Sequence, residues 1–257
     1  MSKLTVALLQ HDIHWLDVEA NLVQLAAQLQ SLPEVDLILL SETFATGFAV
    51  AEPNVERYSE RIIAWLKDQA QRRQAVLCAS VISADETGKF NRLYWVQPSG
   101  ELDYYDKRHL FCLGKEGEHM DAGTARKVFT VKGVRVLPQV CYDLRFGVFQ
   151  RNRNDYDVMV NIANWPAARR DAWDTLLKAR AIENQCYVLA VNRVGEDGQG
   201  VEHNGGTAAY RFDGKQLAYG EDNKAQTITV TLDLAQLEDY KESFPAWQDA
   251  DDFELNL

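Results

Sequence analysis

Cys141 stands where a mostly apolar run, Val134 to Val140, gives way at once to Tyr142, Asp143 and Arg145. A buried strand that ends on a polar cluster delivers its last side chain to an edge, and in layered α/β proteins ligands gather at such edges. The thiol is therefore a candidate nucleophile. Most cysteines in folded chains are small inert hydrophobes, and Cys78, Cys112 and Cys186 read that way; Cys141 taken alone fits either role. Two further residues share its situation. Glu42 follows the run Asp36 to Leu40, and Lys107 follows Leu102 to Asp106. Lysines are mostly solvated, so what singles Lys107 out is its company: a carboxylate, an amine and a thiol, each placed after a strand.

A second strand-like run, Val158 to Ile162, ends on Asn164, Trp165 and Pro166 and so puts polar and aromatic groups on the same edge as Cys141. Between Lys107 and Gly123 lies the turn-rich stretch GKEGEHMDAG, which carries Glu116 and Glu118 and has no periodicity. Loops of that length in compact domains are often functional. His109, Cys112 and His119 lack the paired spacing of a metal site, so no metal is expected. The phosphate-binding patterns GxGxxG and GxxxxGK[ST] are absent too, and no cofactor is expected. With a formal charge of −11 and scattered Lys and Arg, a nucleic-acid partner is not expected either. An anionic small substrate needs only one or two local cations, and Arg145, Arg169 and Arg170 are the candidates.

The elements that must position these groups are legible in outline. Leu4 to Gln10, Asp36 to Leu40 and Tyr187 to Asn192 are apolar enough for buried strands, while Val18 to Leu29 and Ile62 to Arg73 repeat apolar residues at helical spacing. Ala75 to Ser83 and Phe90 to Val96 predict a hairpin around Asp85 to Lys89. Trp173 to Asn184 is amphipathic with Asp171 as its expected cap, and Arg180 and Glu183 should pair one turn apart. Later strands over Thr207 to Phe212, Gln216 to Tyr219 and Ala225 to Leu232 precede a short helix, Leu234 to Tyr240. This alternation supports a two-sheet α/β or α+β domain. No linker divides the 257 residues, so residues 1 to 257 are expected to form one domain. Its acidic tail, from about 244, is either solvated or docked by Trp247 and Phe253 on a second subunit. With no signal peptide and no apolar run long enough to span a bilayer, the chain is expected in the cytoplasm and off the membrane.

The motifs narrow the function. LLSETFATGF around Glu42, YYDKRHLF around Lys107, VCYDLRF around Cys141, NIANWP beyond it and KARAIENQCYV in the late helix resemble the nitrilase superfamily of carbon-nitrogen hydrolases. They are most like its omega-amidase branch, bacterial enzymes acting on 2-oxoglutaramate. The resemblance implies a four-layer α-β-β-α sandwich, a homodimer and metal-free hydrolysis of a small amide through a cysteine thioester. It also implies roles. Cys141 matches the nucleophile, Glu42 the general base and Lys107 the oxyanion stabiliser, with the Tyr142 N–H as second donor. Glu116 matches a supporting glutamate, Glu118 falls to the loop surface, and Asn164 and Trp165 would shape the substrate pocket. Arg145 is expected to pair with Asp143 or another acid. Ser41 and Gly147 stand where the family usually has proline, and HNGGT, with Gly206, where it often has a Gly-Asp-Ser turn. Two alternatives stay open: an amidase of the same superfamily acting on deaminated glutathione or an N-carbamoyl substrate, and a binding protein that kept the fold without turnover.

Overall fold

Strands that are apolar along their whole length need cover on both faces, and here they assemble into two six-stranded sheets packed on each other. The computed structural model describes residues 3–256. From the amino end, β1 (Lys3–Gln10), α1 (Val18–Gln30), β2 (Leu37–Leu39), α2 (Ser59–Arg73) and β3 (Val76–Asp85) make two β-α-β crossovers. Then β4 (Gly88–Val96) and β5 (Leu102–Asp106) fold back as a meander. The second half repeats the scheme with β6 (Phe129–Val131), β7 (Val134–Val140), the short α3 (Gly147–Gln150), β8 (Val158–Ala163), α4 (Arg170–Asn184) and β9 (Tyr187–Asn192). A small hairpin, β10 (Val194–Glu196) and β11 (Glu202–Asn204), precedes β12 (Ala208–Tyr210), β13 (Gln216–Tyr219), β14 (Gln226–Asp233) and α5 (Leu234–Ser243).

The first sheet has the order β14-β1-β2-β3-β4-β5 and the second β13-β12-β9-β8-β7-β6. In each, three parallel strands form the centre: β1, β2 and β3 in one, β7, β8 and β9 in the other. Side chains alternate between two cores, as the period of a strand requires. Leu4, Val6 and Leu8 face Val158, Val160 and Ile162 of the other sheet, whereas Ala7 and Leu9 turn outward to Leu22, Leu25, Ile62 and Leu66 of α1 and α2. On the far side, Met159 and Ala163 meet Trp173, Leu177 and Ala181 of α4. The layers are therefore α-β-β-α, as expected. Each fully buried Leu, Ile or Val contributes roughly 1.5–3 kcal/mol, so the helical stripes hold the outer layers while the inner faces hold the sheets together.

Strand direction decides where the polar ends fall. β4 runs antiparallel to β3, and β5 antiparallel to β4, so β5 points the same way as β2 and β3. The carboxyl ends of β2 and β5 thus share one edge of the first sheet, and those of β7 and β8 share one edge of the second.

Three local expectations change. Asp171 does not cap α4: Arg169 occupies the cap position without a side-chain bond, because the turn Ala167–Arg169 feeds the helix directly and leaves Asp171 in its first turn. The β10–β11 hairpin was not anticipated, since three-residue strands rich in charge carry no periodicity. The tail docks on its own chain: Gln185 donates to Phe244 O at 2.8 Å and accepts from Trp247 N–H at 3.2 Å, and Phe253 lies 4.4 Å from the Arg153 guanidinium. Two of the unusual glycines have steric reasons. A Cβ at Gly147 would meet the Arg180 guanidinium at 3.0 Å, and Gly206, at φ +89°, lies against Arg170. Arg180 uses the space to donate to Leu144 O at 2.9 Å as well as to Glu183 at 2.7 Å.

Gly123 closes the loop beside Lys107, its N–H donating to Lys107 O at 2.9 Å. A Cβ there would sit 2.1 Å from Asp106 O, and backbone cannot yield as a side chain can. Gly123→Ala is expected to lower stability by about 1–3 kcal/mol, read as an earlier urea midpoint; an unchanged midpoint would refute the steric argument.

Candidate active site

Four strand ends converge on one pocket. Leaving β2, Glu42 enters a turn in which Thr43 has φ 42°; leaving β7, Cys141 has φ 47° and opens the helical turn Cys141–Arg145. Left-handed backbone at a residue with a side chain stores on the order of 1–3 kcal/mol of strain. At Cys141 it swings the thiol out of the strand line. Lys107 follows β5 directly, and Asn164 follows β8.

Glu42, Lys107 and Glu116 are fully buried together. Lys107 Nζ lies 2.9 Å from Glu42 Oε1 and 2.8 and 3.1 Å from the two oxygens of Glu116. Buried ions are tolerated only when their remaining hydrogen-bond capacity is filled, and neighbours fill it. Asn91 Nδ2 donates to Glu42 Oε1 at 2.8 Å and to Glu116 Oε1 at 3.1 Å. The Phe111 N–H reaches Glu116 Oε2 at 2.7 Å, and the Asn164 N–H reaches Glu42 Oε2 at 2.8 Å. Asn164 Nδ2 also holds Glu42 O at 2.6 Å and Thr43 Oγ1 at 3.0 Å.

The electrostatics assign protons. Burial alone would pull the Lys107 ammonium down, but the Glu116 and Glu42 carboxylates outweigh it and raise its pKa above the ordinary lysine value. Lys107 is therefore a fixed cation and a donor. Burial pushes the Cys141 thiol well up, and the Glu42 carboxylate adds to the push while Lys107 opposes it. The sulfur rests as a thiol, 3.9 Å from Asn164 O.

The pocket has a volume of about 640 Å³ including its mouth. Glu42, Lys107 and Cys141 line it as its reactive groups, with Phe48, Phe111 and Trp165 as apolar walls. Arg145 and Arg169 also line it. Each lies over an aromatic ring, Arg145 4.9 Å from Trp165 and Arg169 5.2 Å from Phe111.

The expected residues Glu42, Lys107, Cys141, Tyr142, Asn164 and Trp165 all border this pocket, and Glu116 supports Lys107 from behind. Arg145 does not pair with Asp143. The Asp143 carboxylate is taken by His109, Tyr105 and the Val140 N–H, and Arg145 faces the pocket instead. Arg170 is engaged elsewhere, by Asp174, Tyr219 and Asp222. Glu118 is exposed beside Lys115. Asn91 was missed in the sequence, although an asparagine inside the apolar strand FNRLYWV is a signal of a buried polar duty. Buried His203 of the β10–β11 hairpin, with Asp197 and Gln199, forms a wall that sequence reasoning also missed.

A two-sheet sandwich with a carboxylate, an ammonium and a thiol at one shared edge defines a class of acyl-transfer hydrolase, and similarity to known proteins agrees. The chain belongs to the carbon-nitrogen hydrolase family, whose model matches residues 5–242. It is 43% identical to the omega-amidase YafV of Escherichia coli (strain K12) over 255 residues, covering 99% of this chain and 100% of that one. It is 29% identical to a 2-oxoglutaramate amidase of Bacillus subtilis (strain 168) over 256 residues, covering 96% and 97% respectively. Among solved structures, a CN-hydrolase superfamily protein of Xanthomonas campestris with an arsenic adduct in its active site superposes with TM-score 0.96 at 42% identity, covering all of both chains.

Two histidines near this region set a pH dependence. Burial lowers His11 from 6.5 to about 4, and burial with the nearby Arg193 lowers His203 from 6.5 to about 4. As pH falls from 6.5 toward 4 the unfolded chain takes up these protons and the folded chain does not, so stability is lost across that window. Below it Asp85 and Asp213, held near 2 by hydrogen bonds to Thr87 and Arg211, carry the further loss. Urea midpoints should fall between about pH 7 and about pH 4.5, less steeply in His203→Gln; a flat wild-type profile would contradict this.

Proposed function

We propose that the chain is an omega-amidase that hydrolyses the terminal amide of a small dicarboxylic acid monoamide, 2-oxoglutaramate being the expected substrate. The observation that carries the reading is the lining of one pocket: thiol, ammonium and carboxylate share it with two arginines, each resting on an aromatic face. A linear molecule with an amide at one end and a carboxylate at the other matches that arrangement. The names of the relatives support the same substrate class.

An unperturbed thiol, with a pKa of about 8.5, is only a few per cent thiolate at neutral pH, and here it is less ionised still. Glu42 therefore takes the proton as sulfur attacks the amide carbon. The carbon-sulfur bond forms and the carbonyl electrons move to oxygen, where Lys107 and the Tyr142 N–H stabilise the charge. Glu42 then gives its proton to the nitrogen, the carbon-nitrogen bond breaks and ammonia leaves a thioester on Cys141. Water, deprotonated by Glu42, attacks the thioester, and the sulfur leaves with the proton. In this scheme Glu116 keeps Lys107 charged and in place, while Asn164 and Trp165 shape the pocket.

The two sheets supply different parts of the site, Glu42 and Lys107 from one and Cys141 from the other, which is our ground for treating residues 1 to 257 as one catalytic domain. We place it in the cytoplasm because Cys141 must stay a thiol and all four cysteines are free; no helix among the described residues is long and apolar enough to cross a membrane. The homodimer belongs to the same proposal, with Val148 of α3 and Ile182 of α4 as exposed apolar residues available to it; a monomer by light scattering would remove it.

Ammonia release should be seen with 2-oxoglutaramate and succinamate, and not with glutamine, an N-carbamoyl amino acid or an aliphatic nitrile. Cys141→Ala and Glu42→Gln should each lose at least about 10⁴-fold in kcat while the protein stays folded; an active Cys141→Ala protein would end the thioester mechanism. Charge-assisted bonds contribute about 1.5–3 kcal/mol, so Arg145→Gln or Arg169→Gln should raise KM for the carboxylate-bearing amide roughly 10–100-fold. Turnover of butyramide, which lacks the carboxylate, should hardly change; equal losses on both substrates would exclude the carboxylate role.

A further inference from the structure

The inter-sheet core is apolar, and burial of apolar surface is non-directional. It holds the sheets together but does not by itself fix how one lies along the other. The proposed chemistry needs such a fix, because Lys107 leaves the first sheet and Cys141 the second. Among the described residues, the group that ties these two strand ends most directly is Asp143.

Asp143 is fully buried, and each of its oxygens accepts two hydrogen bonds. Oδ2 accepts from the Val140 N–H at 3.0 Å and from the Tyr105 hydroxyl at 2.9 Å. Oδ1 accepts from the His109 N–H at 2.9 Å and from His109 Nδ1 at 2.8 Å. The Tyr105 hydroxyl in turn accepts from the Arg108 N–H at 3.1 Å. One carboxylate therefore binds residues on both sides of Lys107 to the residue that precedes Cys141. The His109 ring is itself fixed, stacked 3.9 Å from Phe146 with planes 5° apart and edge-on to Phe149. The bond from Val140 N–H to Asp143 also spans Cys141 and closes the turn that holds it at φ 47°.

We infer that Asp143 is a positioning residue: through Tyr105, His109 and Val140 it sets the Cys141 sulfur against Lys107 and Glu42. It touches no reacting atom. Its effect is on geometry, and a misplacement of about 1 Å at a reacting centre can lower a rate about 100-fold. The inference rests on the amidase reading for its rate measurement, and on Cys141 reactivity for a second measurement that needs no substrate.

The test compares Asp143→Asn, His109→Ala, His109→Asn and Tyr105→Phe with wild type. Asparagine at 143 must turn an N–H toward two donors, and asparagine at 109 retains an N–H able to replace Nδ1. Active enzyme is counted by thiol titration, kcat is expressed per titrated Cys141, and the rate of Cys141 alkylation by iodoacetamide is followed by peptide mass spectrometry, which separates it from exposed Cys112. Asp143→Asn and His109→Ala should lose about 100-fold in kcat per thiol with KM within about twofold, and alkylation should slow with them. His109→Asn should recover most of the loss, and Tyr105→Phe should fall between. Variants that melt earlier but keep wild-type kcat per thiol and wild-type alkylation would show Asp143 to be structural only and overturn the inference. If Asp143→Asn does not fold, the Tyr105 and His109 variants decide alone. Wild type that is silent on every amide would sink the omega-amidase reading, and the alkylation rates would still decide the role of Asp143.

Discussion

Three ionisable side chains buried together at the edge of the first sheet govern the rest of the structure. Moving an ion from water into a protein interior costs several kcal/mol even after relaxation, so Glu42, Lys107 and Glu116 can occupy that edge only if their hydrogen-bond capacity is filled. The cluster draws on four separate stretches of chain: Glu42 after β2, Asn91 in β4, residues 107 to 116 with Lys107, the Phe111 N–H and Glu116, and Asn164 at the end of β8. A slip of any of these strands would leave a buried charge unpaired. The cluster thus constrains register between elements in a way that the interchangeable apolar contacts of the core do not.

The same constraint explains the division of labour in the pocket. Lys107, held between two carboxylates, does not release its proton, and Cys141, partly buried beside a carboxylate, does not lose its own at rest. Glu42 is the group in contact with both strand ends, through Lys107 on one side and the Asn164 N–H on the other. Proton transfer in the proposed reaction accordingly runs through it. The two arginines that line the pocket follow a different logic. Arg145 and Arg169 lie on aromatic faces, where a guanidinium keeps its charge and leaves its N–H groups for a ligand.

How much of this could be read from the sequence depends on whether a residue's partners are near it in the chain. Glu42 and Cys141 were legible because each follows a mostly apolar run that reads as a buried strand, and Lys107 because it follows a strand and stands in their company. The four-layer arrangement was implied by the family resemblance, with the alternation of strands and helices in support. An asparagine inside FNRLYWV signals a buried polar duty, but its partners, residues 42 and 116, are distant in the chain and nothing around Asn91 announces them. Arg145 reads in the sequence as a partner of Asp143 or another acid. The Asp143 carboxylate faces the β5 side instead, where Tyr105 and His109 were waiting in the fold and not in the local pattern. The β10–β11 hairpin escaped for another reason: strands of three residues carry too few alternations to leave a period.

The account as a whole stands on covalent chemistry at Cys141, and the intermediate itself is the most direct witness. Acid quenching during turnover of 2-oxoglutaramate, followed by mass spectrometry of the peptide that contains Cys141, would look for it. The account predicts the acyl group of the substrate on that sulfur, as a thioester that hydroxylamine removes. Steady ammonia release with the acyl group on another side chain, or on none at any quench time, would contradict it.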